Sequence, residues 1–447
     1  MKTNTFSHLE ILGGGPAGIG IGYYAKIKKI PFSIYELSNR VGGNCKTIIN
    51  GDYRYDTGAH RLHDKFDDIT NEIKKLLGDE LLKIDAPSKI YHKRSSIDFP
   101  LNIGSLLKNL DNTQILKIAY EKFSNVIRAQ NKISSFKDLA YHNYGKTLSE
   151  LFLINYTEKL WGKNADQLDP NISGSRLKNL DLLSLVKSLI MYKSKPEHLD
   201  GSFYYPKYGF GTIFERMLES IGLENIHFNS RVEKIIHDGK KVKEIHCNGI
   251  KSQDVGSVIN TLPINILPAL FEPAPPVAVI DSLKDIKYRD VRLCILYLNI
   301  PNLTNNASIY FPESKFPFNR IYEPKNRSEK MAPKENTCIV VETSTGQSNK
   351  SKLISDEDHY EKIQKCLIQE GFIKKRDIIN YEVRFVKNAY PILTVGIQKK
   401  IRPALSYFTS FENHYMHGRN AQFQYIHVHD LFKNSKKFIN QKSLFQG

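Results

Sequence analysis

Three glycines near the start of the chain have the spacing of a phosphate cradle. Gly13-x-Gly15-x-x-Gly18, with Pro16 and Ala17 inside it, follows the apolar run Leu9 to Leu12 and leads into a stretch, Ala17 to Lys29, that reads as a helix. In such a unit the first glycine permits the tight turn and the second lets a pyrophosphate approach the backbone. The third lets the helix pack closely on its strand. The helix N-terminus adds free N–H groups and a positive dipole end. A second strand, Pro31 to Tyr35, ends in Glu36, 23 residues after Gly13, where a carboxylate can bind a ribose. The glycine pattern alone is weak; strand, loop, helix, strand and acid in that order within about 30 residues are specific for a dinucleotide.

The next segment favours FAD over NAD. Arg40-Val41-Gly42-Gly43-Asn44 follows Glu36 closely. A second glycine pair with an arginine offers further phosphate contacts, as a long cofactor lying across the domain needs. Glu36-x-x-x-Arg40-x-Gly42-Gly43 resembles the flavoprotein group of amine oxidases, protoporphyrinogen oxidase and UDP-galactopyranose mutase. Within that group Gly58-Ala59-His60 is similar to the mutase loop placed against the flavin ring; two small residues there admit close backbone approach.

Further segments match the mutases in order along nearly the whole chain. Asp98 to Asn102, with Phe99, resembles the segment that contacts uridine. Tyr156 to Gly162 resembles the helix bearing the family tryptophan, here Trp161, and Arg231 to Ile236 the strand whose valine, here Val232, meets the adenine. Tyr310 to Glu313 and Phe316 to Arg320, then Asn388 to Pro391 with Tyr390, and Gly418 to Tyr425 with Arg419, complete the set. The resemblance implies that Arg176 and Arg320 grip a diphosphate, that Tyr390 and Tyr425 touch it, that Phe99, Asn102, Trp161 and Tyr310 line the substrate site, and that Arg419 lies beside the flavin. Chemically the set is coherent: arginine can clamp phosphate oxygens in bidentate fashion and tyrosine can donate to the same oxygens. The chain departs from the eukaryotic-type mutases at Thr157 and Asn102, where they carry Asn and Gln, and in His427 and His429 after Tyr425.

What must position these residues is an α/β chain: a Rossmann-type FAD-binding domain, a helical insertion and an antiparallel β-sheet substrate domain. The expected boundaries are 1–98, 202–265 and 386–432 for a discontinuous FAD domain, 99–201 for the helical domain, 266–385 for the sheet domain, and 433–447 for a basic, fraying tail. Helical periodicity marks Ile103 to Leu110 and Leu148 to Trp161; β-type runs mark Val291 to Ile300 and Cys338 to Glu342. A substrate cleft is expected where the domains meet.

With 447 residues the chain is long enough for two or three domains. A formal charge of +17 favours anionic partners. Its basic tracts are not interleaved with aromatics, so no nucleic-acid platform is expected. The five cysteines are scattered without a CxxC pair, which argues against a disulfide framework or a zinc site, so no metal is expected. No signal peptide and no apolar run of membrane-spanning length is seen, and a cytoplasmic location is expected. The resemblance implies a reduced flavin (FADH−) whose N5 attacks the anomeric carbon of a nucleotide-diphosphate sugar of the UDP-linked class, an external reductant such as NAD(P)H, and a state between monomer and tetramer. His60, Arg176 and Arg320 are the expected catalytic residues. Two other readings stand beside this one: an oxidase or dehydrogenase of the protoporphyrinogen or amine oxidase type, and a flavoprotein without catalysis.

Overall fold

The computed structural model describes residues 8–99, 101, 103–127, 133–173, 202–346 and 354–443. Leu9–Leu12 is buried at every position, as expected of a strand covered on both faces. It forms the centre of a five-stranded parallel sheet in the order His414–Met416, Ser257–Asn260, Leu9–Leu12, Phe32–Tyr35, Ile226–His227. Helix Pro16–Ile27 covers one face and packs against helices Thr212–Ile221 and Val428–Ser443. Sequentially distant strands are thus brought beside the glycine loop, in the mixed α/β architecture anticipated.

The second large sheet has seven strands in the order Ile378–Pro391, Tyr288–Leu298, Thr337–Thr345, Arg320–Tyr322, Ser308–Tyr310, Ser88–His92, Ser95–Phe99. Its pairings are antiparallel except one: Ser308–Tyr310 runs parallel to Ser88–His92. The sheet is therefore mixed. The hairpin 88–99 belongs to it rather than to the glycine-loop sheet, because its backbone is paired through Ser88↔Ser308 and Lys89↔Ile309. Helices Phe136–Tyr144, closed by a Ser135/Asp138 capping box, and Asn155–Trp161 share one core cluster with Leu12 of the first sheet and Tyr288 of the second.

The C-terminal segment also departs from expectation. Val428–Ser443 is a helix with Phe432 and Ile439 fully buried, and Lys433 and Lys436 pair with Asp68. Apolar anchors hold through residue 439 what the lysine- and asparagine-rich composition suggested would fray. All five cysteines are free, and among the described residues no helix is long and apolar enough to cross a membrane.

Candidate functional site

The glycine loop joins its strand to a helix that begins at Pro16 with Gly15 as N-cap. No side chain caps this end and no acid sits in its first turn, so its N–H groups are free for an anion. Two glycines are fixed by contact. A Cβ on Gly18 would lie 1.9 Å from the Gly13 carbonyl oxygen, and one on Gly43 would lie 3.2 Å from the Gly15 Cα. The Gly42 N–H donates to the Gly14 carbonyl at 3.0 Å, so the second glycine pair buttresses the first loop. Glu36 ends its strand beneath this loop. One carboxylate oxygen accepts the Gly14 N–H at 2.7 Å, and the other accepts the Ser38 N–H at 2.9 Å and hydroxyl at 2.6 Å. Arg40, expected to add a phosphate contact, instead pairs with Glu215 at 2.7 Å and donates to the Thr47 carbonyl. Val232 is buried at the start of the strand Val232–His237.

From the loop opens a chamber of about 1010 Å³. It is lined by Gly15, Pro16, Ala17, Gly43 and Asn44, by Gly58, Ala59 and His60, and by Phe99, Trp161, Tyr310, Arg320, Tyr390, Arg419 and Tyr425. Residues more than 400 positions apart are thus gathered around one cavity. Gly13, Gly18, Glu36, Arg40, Gly42 and Val232 do not line it. Asn102 and Arg176 lie outside the described residues.

His60 is a neutral wall rather than an acid. Burial pushes its imidazole down to about 3. Nε2 lies 3.0 Å from the Asn44 carbonyl, which can only accept, so that nitrogen carries the proton; Nδ1 faces the Cys45 Sγ at 3.9 Å. The ring packs 5.2 Å from Phe210. Burial also pushes the Cys45 thiol up to about 12, leaving it protonated.

Arg320 is a buried residue of the chamber lining and has a partner that the sequence did not reveal. Its Nη2 lies 2.5 Å from Glu342, which is 1% exposed and sits directly across the strand pair. Tyr390 donates to the other Glu342 oxygen at 3.4 Å. Arg419 donates to the Ala389 carbonyl at 2.8 Å and lies over the rings of Tyr390 and Tyr425, at 5.2 and 4.7 Å. Its Nε and the Asn420 Oδ1 are buried without a partner among the described residues. Trp161 packs against Tyr390 and Tyr425, while Phe99 and Tyr156 pack edge-on against Tyr310. A π-helical turn, Ser149–Ile154, precedes this helix, and Phe152, Leu153 and Tyr156 line the chamber. Such turns re-aim side chains at functional sites. Glu342 had one sequence signal: a charged residue inside the apolar run Cys338 to Val341 requires a partner if buried.

These residues fit FAD. The free helix end and the close glycine contacts suit the pyrophosphate, Gly58 and Ala59 leave room for a flat ring, and orphaned donors and acceptors point to polar groups on a ligand. The model of the flavin containing amine oxidoreductase family matches residues 25–429. No curated protein matches the sequence. Among solved structures, reduced UDP-galactopyranose mutase superposes with a TM-score of 0.80 at 18% identity, covering 99% of this chain and 98% of that one. A protoporphyrinogen oxidase-type protein from Exiguobacterium sp. 255-15 gives 0.77 at 14%, covering 99% and 100%. Putrescine oxidase bound to putrescine gives 0.65 at 12%, covering 98% and 99%. At these identities the likeness establishes the fold.

Proposed function

The chain belongs to the flavin containing amine oxidoreductase family and binds FAD, and on that premise we propose that it is a nucleotide-sugar mutase interconverting pyranose and furanose forms. The observation that carries this reading is the composition of the chamber lining: Arg320, Tyr390 and Tyr425 share a single cavity with the glycine loop, with Phe99 and Tyr310 adding aromatic rings to it. The likeness to reduced UDP-galactopyranose mutase supports it. Reduced FAD, when bound, supplies a nucleophilic N5 toward an anomeric carbon. The chain's residues do the rest. Arg320 and the tyrosine hydroxyls hold a departing diphosphate close for recapture. Phe99 and Tyr310 pack against a base. His60, neutral and with both ring nitrogens engaged, shapes the cavity and excludes water without donating a proton. Arg176 is proposed as the second guanidinium of the clamp, Asn102 as a further base contact, Trp161 as substrate wall, Arg419 as a cofactor contact, and an NAD(P)H-type donor as reductant.

One observation favours the oxidase reading. Glu342 neutralises Arg320, so this guanidinium is not idle, and the clamp must exchange partners to receive a diphosphate. The two readings separate in one experiment: UDP-galactose and related UDP-sugars are incubated with the protein with and without dithionite, and the sugars are resolved by chromatography. Furanose formed only under reduction supports the mutase. Hydrogen peroxide formed with an amine or porphyrinogen, and no furanose, overturns it.

A further inference from the structure

Arg327 is the largest fully buried side chain of the described residues, at 1% exposure, and the proposed chemistry leaves it unused. It follows the short turn Pro324–Asn326 and reaches back to the cofactor chamber. Its Nη1 donates to the His60 carbonyl at 3.1 Å and its Nη2 to the Ala307 carbonyl at 3.3 Å. The guanidinium lies over two rings, 4.6 Å from Tyr322 and 5.5 Å from Tyr205. Both tyrosines are tied to Asp56: Tyr205 donates to its carboxylate and Tyr322 to its backbone carbonyl, each at 2.6 Å. The Asp56 carboxylate also accepts the Thr47 hydroxyl at 2.6 Å and the Phe210 N–H at 3.0 Å.

This is more than packing needs. A buried guanidinium is expensive unless an anion neutralises it, and Arg327 forms no ion pair among the described residues; its Nε has no hydrogen-bond partner either. Its polar bonds go to carbonyls and its faces to π-clouds. One of those carbonyls belongs to His60, in the Gly58-Ala59-His60 segment of the chamber wall. Three arginines act on His60: Arg320, paired with Glu342, and Arg419 and Arg327, which form no ion pair among the described residues. Asp56, held by both tyrosines, is the carboxylate that opposes Arg327.

We infer that Arg327 is a positioning residue for the cofactor, fixing the His60 carbonyl in the chamber wall while its buried charge biases bound flavin toward its reduced anion. Two electrons and one proton, from a reductant such as dithionite, convert FAD to FADH− and add one negative charge. That charge is what a nearby cation favours. At an effective dielectric of about 20, one buried unit charge across a chamber is worth roughly tenfold in the ratio of affinities for reduced over oxidised flavin. For a two-electron couple this is ~30 mV in midpoint potential. The inference rests on FAD binding and not on the sugar assignment.

The test is a dye-coupled reductive titration of FAD-loaded protein, read by absorbance, on Arg327→Gln, Arg327→Lys and Asp56→Asn. Arg327→Gln lowers the reduced-to-oxidised affinity ratio about tenfold. Arg327→Lys, which keeps the charge, stays within about twofold of wild type. Asp56→Asn removes an opposing carboxylate and moves the ratio the other way. A merely structural arginine would change melting temperature and leave all three ratios at the wild-type value, which overturns the inference. Where Arg327→Gln fails to fold, the other two decide: a ratio in Asp56→Asn that is unchanged or lowered overturns it.

Discussion

Replacing Glu342 by Gln keeps the shape of the side chain and removes its charge. Glu342 is 1% exposed, Arg320 is 7% exposed, and they meet at 2.5 Å. Burial alone would pull the Arg320 guanidinium down, but Glu342 outweighs it and holds it well above its usual range. Without the carboxylate an uncompensated cation remains in the chamber wall, and breaking a buried pair in this way costs about 3–5 kcal/mol. Unfolding entropy near 2.1 cal/mol/K per residue over 447 residues is about 0.9 kcal/mol/K, so each kcal/mol is about 1 °C in one cooperative transition. Glu342→Gln is therefore expected to melt about 3–5 °C lower. The freed guanidinium should also bind an anion better, so UDP should raise the melting temperature of the variant more than that of the wild type. The assay is thermal denaturation with and without UDP at several ionic strengths. Equal melting temperatures, or a smaller UDP shift in the variant, would refute the view of Arg320 as a phosphate clamp held in check by Glu342.

Gly18→Ala places a Cβ 1.9 Å from the Gly13 oxygen, so the loop must move; overpacking of about 1–3 kcal/mol predicts a loss of FAD affinity of about 5- to 150-fold, seen as a low flavin-to-protein ratio after purification, and stoichiometric flavin would contradict it. Burial pushes His60 down to about 3 and His359, His414 and His417 down to about 4. The unfolded chain then binds more protons below about pH 6.5, so stability is full above that pH and is lost as pH falls toward 4. Each of the four histidines contributes about 1 kcal/mol per pH unit there, so urea denaturation should show a loss of about 4 kcal/mol between pH 6 and 5. A flat profile over that window would show that these histidines are not neutral and buried.

The nucleotide loop was legible because its signal is local. Gly13 to Glu36 are joined by a short strand, a helix and a second strand, and within that unit Gly18 meets Gly13 and Gly14 meets Glu36. The rest of the chamber lining was legible only through resemblance, since Phe99, Arg320, Tyr390 and Tyr425 come from different parts of the chain. The pairs that complete it were not legible. Glu342 meets Arg320 through strand register, Arg40 finds Glu215 at a separation of 175 residues, and Arg327 finds His60 at 267. Electrostatic partners set by tertiary pairing leave no periodic trace in sequence. The sheet partner of the hairpin 88–99 was not legible for the same reason: its parallel neighbour, Ser308–Tyr310, lies more than 200 residues on. The final helix did leave a trace, with Phe432, Ser435 and Ile439 buried at helical spacing, but lysine and asparagine composition obscured it.

The central claim is that one chamber holds FAD against a nucleoside diphosphate. The most direct measurement is a titration of dithionite-reduced, FAD-loaded protein with UDP, followed by flavin absorbance and fluorescence. The account predicts a saturable spectral change that weakens with salt and is lost in Arg320→Ala. Wild-type flavin spectra that do not respond to UDP, or a response unaltered in Arg320→Ala, would contradict it.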